Sequence, residues 1–350
     1  MFVGNERISI TAKTKKEVEK KLAEIQTDYD RGHYVFPDSI TVEEWVYLWL
    51  DQKCTKIQEQ SEIRLRAMFK NHILPYLGSV KLQDLTRDMI EEAYAKSFYK
   101  KGGKKYKEES YSHSTVNAIS FQFKKCLQKA VDENIISRNP HYGVQLHKLR
   151  GPKKIHAYSV EQHRKIVEYT KANKKYNLFY LLIATGMRIG EACALSWNDI
   201  DLDNGIINIT KTAISIHGSM LIQDHPKTDK SIRTIHMAPN TTKWLKDLYK
   251  KRNITQNRYD LVFPTSIYTV QNPSNLRRYW AHACAEMNIP YYGLHALRHT
   301  WATRALEENI DIKTVSDMLG HKNIITTMNI YQDVLDAHKK EAAKKMDALY

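Results

Sequence analysis

No stretch of this 350-residue chain approaches the roughly 18–20 unbroken apolar residues that a membrane span requires. The most apolar stretch, Leu178 to Met187, is interrupted by Tyr180, Thr185 and Gly186 and reads as a buried helix. The opening residues, MFVGNERISI, place Asn5, Glu6 and Arg7 where a secretory signal would need a long apolar segment. An intracellular protein with no membrane partner is expected. Cysteine is scarce too: Cys54, Cys126, Cys193 and Cys284 stand singly inside apolar helical patterns, without a CxxC or a paired metal spacing. They read as buried small hydrophobes in a reducing compartment. There is no long-period internal repeat. An alternating βαβ pattern is missing as well, which argues against a doubly wound sheet.

What the chain does have is positive charge. With a net charge of +15, a polyanionic partner is expected, and nucleic acid is the usual one. The basic residues recur along the whole chain instead of gathering on one amphipathic helix, which argues against a membrane surface as that partner.

The length suits two or three domains, each with its own core. Residues 1–36 hold a strand-like run (Glu6 to Thr11) and a charged helix (Lys13 to Tyr29), too little to enclose a core. Residues 37–145 read as a helical domain. Thr41 with Glu44 makes a capping box, and Val42, Trp45, Val46, Trp49 and Leu50 follow at helical spacing. Further helices are expected near Ser61–Leu74, ended by Pro75, and near Thr86–Ala95. The stretch Lys100 to Ser110 reads as a basic, glycine-broken loop that includes Lys104 and Lys105. A long helix near Thr115–Asn134 carries an apolar face of Val116, Ile119, Phe123, Cys126, Leu127 and Ala130, with Lys124, Lys125 and Lys129 away from it. Those three lysines are either a solvated face or contacts to a nucleic-acid backbone. Residues 146–157, with Lys153 and Lys154, form a basic Gly-Pro linker.

Residues 158–350 open with helices (Ser159–Lys171, Asn177–Ala184, Arg188–Leu195). They continue through β-prone runs (Gly205–Lys211, Ala213–Ile216, Met220–Gln223, Ser231–His236) and return to helix almost to the end. The fold class expected is mainly α with a small antiparallel β-sheet.

Four pieces of this segment carry chemistry: TGMRIGE around Arg188, PKT around Lys227, HALRHT containing His295 and Arg298, and LGHKN containing His321, followed ten residues later by Tyr331. Alone, each has a plain explanation. Arg188 could pair with Glu191 one turn on, His295 and Arg298 could share an ordinary helix face, and His321 could face a helix C-terminus. Lys227 lies between β-prone runs, and Tyr331 is one of 21 tyrosines. Together they form a kit for metal-free phosphoryl transfer. Guanidinium forks suit the non-bridging oxygens of a phosphodiester, and positioning plus electrostatics is most of what such a reaction asks of a protein. A phenol with a reference pKa near ~10 needs a proton acceptor, and a departing alkoxide needs a donor.

In order and wording these motifs closely resemble the tyrosine recombinases, the phage and conjugative-transposon integrase branch in particular. The resemblance implies a helical core-DNA-binding domain followed by a mixed α/β catalytic domain, with residues 1–36 similar to the end of an arm-site-binding domain. By position it implies that Arg188 and Arg298 clamp the scissile phosphate, His295 accepts a proton, and His321 donates a hydrogen bond. Lys227 would protonate the leaving 5′ oxygen, with Lys230 close by, and Tyr331 would form a 3′-phosphotyrosyl bond. It further implies duplex DNA with specific sites as partner, a homo-tetramer on that DNA, an accessory DNA-bending or excision factor, no cofactor, and action at the nucleoid of a bacterial host. The tail, Leu335 to Tyr350, would dock on a neighbouring subunit.

Two competing functions share parts of this pattern. A type IB topoisomerase would relax DNA without exchanging partners, and a non-catalytic DNA-binding regulator would not need the tyrosine or the arginines. No aromatic RNA-binding signature is present, and a metal nuclease would need clustered carboxylates where these motifs supply only Glu191.

Overall fold

The computed structural model describes residues 2–3, 6–7, 14–30, 40–55, 57–100, 109–146, 156–216, 218–224, 232–252, 259–321, 323–331 and 347. Lys104, Lys105, Lys153, Lys154, Lys227 and all of the tail except position 347 lie outside them. The chain divides into two compact units, Met1–Lys153 and Lys154–Tyr350.

In the first unit, strands β1 (Phe2–Val3) and β2 (Glu6–Arg7) pair antiparallel and precede helix α1 (Lys15–Asp30). One strand was expected here. The Gly4-Asn5 pair of the sequence is a turn signal, but strands of two residues are too short for alternation to register. Helix α2 (Val42–Cys54) starts at the anticipated capping box: Thr41 accepts from the Glu44 amide, and the Glu44 carboxylate accepts from the Thr41 amide at 2.8 Å. Helix α3 (Glu59–His72) ends before Pro75, which does not close a helix but sits in the first turn of α4 (Leu74–Leu77). That position needs no amide hydrogen, so proline is tolerated there.

Helix α5 (Arg87–Phe98) runs into β3 (Tyr99–Lys100), which pairs with β4 (Glu109–Ser110). The expected loop is therefore bounded at both ends by a short ladder. Helix α6 (His113–Asp132), capped by Ser112, turns all six residues of its predicted apolar face into the core. There they meet Trp45, Trp49, Leu65, Phe69, Ile90 and Tyr94, and the Trp45 indole donates to the Cys126 carbonyl at 3.1 Å.

The second unit is built around α8 (Asn177–Thr185). Leu178 through Ile183 are all buried, so this helix is apolar all round, as a central helix must be. Helix α7 (Val160–Ala172), capped by Ser159 with Gln162, packs on it, and α9 (Ile189–Ala194) follows.

Strands β5 (Ile200–Asp201), β6 (Ile206–Ile209) and β9 (Arg233–His236) form a three-stranded antiparallel sheet in the order β5-β6-β9. Strands β7 (Lys211–Ile216) and β8 (Ser219–Asp224) form a separate hairpin. Thus β9 passes its sequence neighbour β8 and pairs with β6, Ile209 opposite Arg233. Helices α10 (Pro239–Lys250), α11 (Pro273–Glu286), α12 (His295–Glu307), α13 (Ile312–Leu319) and α14 (Ile325–Tyr331) complete the unit. Ala302, Leu306, Val315, Leu319 and Ile330 gather α12, α13 and α14 into a small core of their own. Among the described residues, no helix is long and apolar enough to cross a membrane.

Gly186 closes α8 at φ +67, and a Cβ there would meet Trp301 and Leu319 at 2.9 Å. A left-handed backbone and a filled neighbourhood both demand glycine. Gly186→Ala is expected to cost about 2–4 kcal/mol, joining backbone strain to overpacking. Urea unfolding measures this, and a loss below about 0.5 kcal/mol would contradict the packing described.

Candidate active site

The end of α13 organises the site. Gly320 takes the left-handed conformation at φ 65, and the chain reverses in a Schellman turn: the Gly320 amide donates to Asp317 O at 2.9 Å and the His321 amide to Ser316 O at 3.0 Å. The next three carbonyls, of Met318, Leu319 and Gly320, each accept from a different arginine. Arg233 Nε donates to Met318 O at 2.8 Å, Arg298 Nη2 to Leu319 O at 2.6 Å, and Arg188 Nη2 to Gly320 O at 2.8 Å. Carbonyls left over at a helix C-terminus carry partial negative charge and need donors, and guanidiniums answer both needs.

Each arginine is placed by its element. Arg188 is the N-cap of α9, with its side chain 37 % exposed. Arg298, one turn into α12, is 3 % exposed and also donates through Nη1 to Gly186 O at 2.8 Å. Its Nε has no partner. Burial and neighbouring Arg188 draw its pKa down to about 9, so it stays cationic at neutral pH. Arg233 opens β9 with its side chain 6 % exposed.

Glu191, 3 % exposed, is the counter-charge: Arg188 Nη1 bonds Oε1 at 2.8 Å, and Arg233 forks onto both oxygens at 3.0 and 2.8 Å. Burial pushes its carboxyl up, but Arg233 and Arg188 outweigh that and hold it below the usual range. Three guanidiniums less one carboxylate leave two positive charges.

Three imidazoles complete the group. His321 places Nδ1 2.8 Å from the hydroxyl of Thr327, a fully buried residue of α14. His295, at the start of α12, meets His299 edge to face with ring centroids 4.5 Å apart. Burial is the main cause that lowers all three pKa values, followed by the adjacent arginines at His295 and His321 and by His295 at His299. His321 falls to about 3, and His299, which also faces His295, to about 4.

Tyr331 is the last residue of α14, one position after Ile330 in the small core; its side chain lies outside the described atoms. Lys227 falls between β8 and β9, beyond the described residues. Arg188, Arg298 and His321 thus meet at one helix end, with His295 one turn from Arg298. Among the described residues no three His, Cys, Asp or Glu side chains gather as a metal site.

In the first unit, Lys124 and Lys125 lie over the rings of Tyr142 and Phe121, each at 4.5 Å, and Lys129 pairs with Glu133 at 2.9 Å. Phe121 and Tyr142 are more than half exposed. Arg233, Thr327 and His299 escaped motif reading. Arg233 did leave a signal, since it alternates with buried Ile235, and a charge beside the buried face of a strand needs a buried partner.

An anion with oxygens in several directions fits this basic, carbonyl-anchored group. The same two-part architecture is found in the Tn1549 transposon integrase, solved with circular-intermediate DNA (TM-score 0.71, 20 % identity, 87 % of this chain and all of that one). It recurs in the lambda integrase tetramer on a Holliday junction (TM-score 0.60, 15 % identity, 91 % and 88 %). In sequence, the chain is 27 % identical to a XerC-like tyrosine recombinase of Caldanaerobacter subterraneus, over 97 % of this chain and 90 % of that protein. Residues 155–338 match the phage integrase family and residues 41–98 its N-terminal SAM-like domain. The chain belongs to the phage integrase family, and is a tyrosine-type site-specific recombinase. The topoisomerase and regulator alternatives gain no support from these likenesses.

A histidine whose charged form is disfavoured by folding lowers stability once the unfolded chain begins to bind the proton. Stability is therefore full above the unfolded value of about 6.5 and falls as pH drops toward 4. The melting temperature of the DNA-free protein is expected to be level from pH 8 to 7 and to decline below about 6.5. His321→Gln should flatten the decline between about pH 6.5 and 5, above the carboxylate range; an unchanged slope would refute the burial of a neutral His321.

Proposed function

We propose that this protein is the integrase of a mobile DNA element, cutting and rejoining duplex DNA at defined sites. Arg188 and Arg298 bind the non-bridging oxygens of the scissile phosphate. The phenol oxygen of Tyr331 attacks phosphorus, forming a 3′-phosphotyrosyl bond as the bond to the 5′ oxygen breaks. His295 takes the phenol proton and Lys227 supplies one to the departing oxygen. Attack by a new 5′ hydroxyl reverses each step, so the bond energy is kept and no nucleotide cofactor is consumed.

His321 is held neutral. In the tautomer whose Nδ1 accepts from the Thr327 hydroxyl, Nε2–H is free to donate to the phosphate. A phosphodiester under attack gains negative charge, and the two uncompensated positive charges of the arginine cluster match it.

The observation that carries this reading is the convergence of Arg188, Arg298 and His321 on one helix end. The names of the relatives support a mobile element and a DNA substrate. Residues 37–145 serve as the core-DNA-binding domain, 146–157 as linker, 158–350 as catalytic domain and 1–36 as part of an arm-binding domain. Lys104, Lys105, Lys124, Lys125, Lys129, Lys153 and Lys154 contact the backbone. Exchange between two duplexes needs four cuts, hence four copies, and the protein acts in the cytoplasm where the host DNA lies. An excision or bending factor sets direction.

Tyr331→Phe is expected to bind its DNA normally and form no covalent adduct on a nicked suicide duplex. An adduct formed by that variant at wild-type rate would remove the nucleophile assignment. Affinity should fall about a thousandfold between roughly 50 and 200 mM salt, through counterion release. A flat response in a binding titration would argue against extensive backbone contact.

A further inference from the structure

We propose that Arg233 is a positioning residue for strand cleavage: it fixes Glu191 and the last turn of α13 so that Arg188 and His321 address one phosphate. This rests on the roles given above to Arg188, His321 and Tyr331. With its side chain 6 % exposed, Arg233 is closed off from DNA and acts only through its partners.

Those partners are specific. Glu191 Oε1 accepts from Arg188 Nη1 at 2.8 Å and Arg233 Nη1 at 3.0 Å, and Oε2 from the Arg188 amide at 2.8 Å and Arg233 Nη2 at 2.8 Å. Four bonds fill the capacity of a carboxylate. Without Arg233, two of these acceptor sites in a buried, ionised group fall empty, a costly state. Arg188 is the donor nearest to hand and the more exposed of the two. It would turn further onto Glu191 and leave Gly320 O. The loss of Arg233 Nε from Met318 O would loosen the same turn three residues before His321.

Backbone placement agrees. Arg233 is the first residue of β9, paired in register with Ile209 of β6, so the sheet aims the guanidinium at the junction of α9 and α13. Lysine would keep the charge but cannot fork onto two oxygens while reaching a third acceptor.

The test uses the full chain, measuring single-turnover adduct formation on a nicked suicide duplex beside equilibrium DNA affinity. Misplacement of catalytic groups by about 1 Å costs about a hundredfold. Arg233→Met is therefore expected to slow adduct formation about a hundredfold and Arg233→Lys about tenfold, with affinity within about threefold of wild type. In an Arg188→Lys background, Arg233→Met should slow the reaction by less than about threefold more, because the two act as one unit.

Wild-type rates in Arg233→Met, an equal loss in both backgrounds, or a parallel loss of affinity would overturn the proposal. So would unfolding of both variants by circular dichroism, which would make Arg233 a stability residue. An unmodified protein that forms no adduct at Tyr331 would instead defeat the nucleophile assignment, whatever Arg233 does.

Discussion

Three arginines share the end of one short helix, and the rest of the second unit is arranged around that convergence. Like charges repel, and a buried guanidinium is costly without partners. The Schellman turn at Gly320 uses the carbonyls of Ser316 and Asp317 and leaves those of Met318, Leu319 and Gly320 in succession. Each takes one cation from a different part of the chain: Arg233 from a strand, Arg298 from α12 and Arg188 from the cap of α9. A helix dipole and one carboxylate offset part of the repulsion and leave a surplus that suits a single anion.

The histidines follow from that surplus. Burial, and after it their charged neighbours, keep His321, His299 and His295 neutral, so in the free protein they add hydrogen-bonding capacity without more charge. A phosphate bound beside them would offset the electrostatic part of this effect, because a negative charge favours the protonated form of a nearby imidazole. Neutral imidazoles can donate, accept or take up a proton, whereas guanidiniums can only donate. Permanent cations are thus suited to binding charge, and neutral imidazoles to donating a hydrogen bond or taking up a proton.

Local patterns were legible where they decide structure locally. The Thr41–Glu44 capping box and the apolar face of α6 stand as their spacing predicts, because both depend only on neighbours one turn away. A mainly helical chain with small antiparallel sheets follows from the same periodicities. Pairing was not legible. That β9 joins β6 past β8 is decided by what the hairpin leaves available, and the β1–β2 and β3–β4 ladders are too short for alternation to show. Pro75 misled because a proline, a stop signal inside a helix, is equally at home in the first turn of one. At the site, Arg188, His295, Arg298 and His321 were visible through short motifs. Arg233 was not, since its meaning depends on Glu191, 42 residues away.

That dependence explains why each motif is weak alone and strong in company. Thr-Gly-Met-Arg needs its glycine because Gly186 must pass close to Trp301 and Leu319 while offering its carbonyl to Arg298. Leu-Gly-His needs its glycine because only a left-handed residue turns the chain, frees three carbonyls and delivers His321 in one step. The two glycines therefore serve the same helix end. One lets α8 approach it, and the other shapes it. Neither does chemistry, yet a Cβ at Gly186 would press on Leu319 and Trp301, and a side chain at Gly320 would strain the turn that presents the three carbonyls.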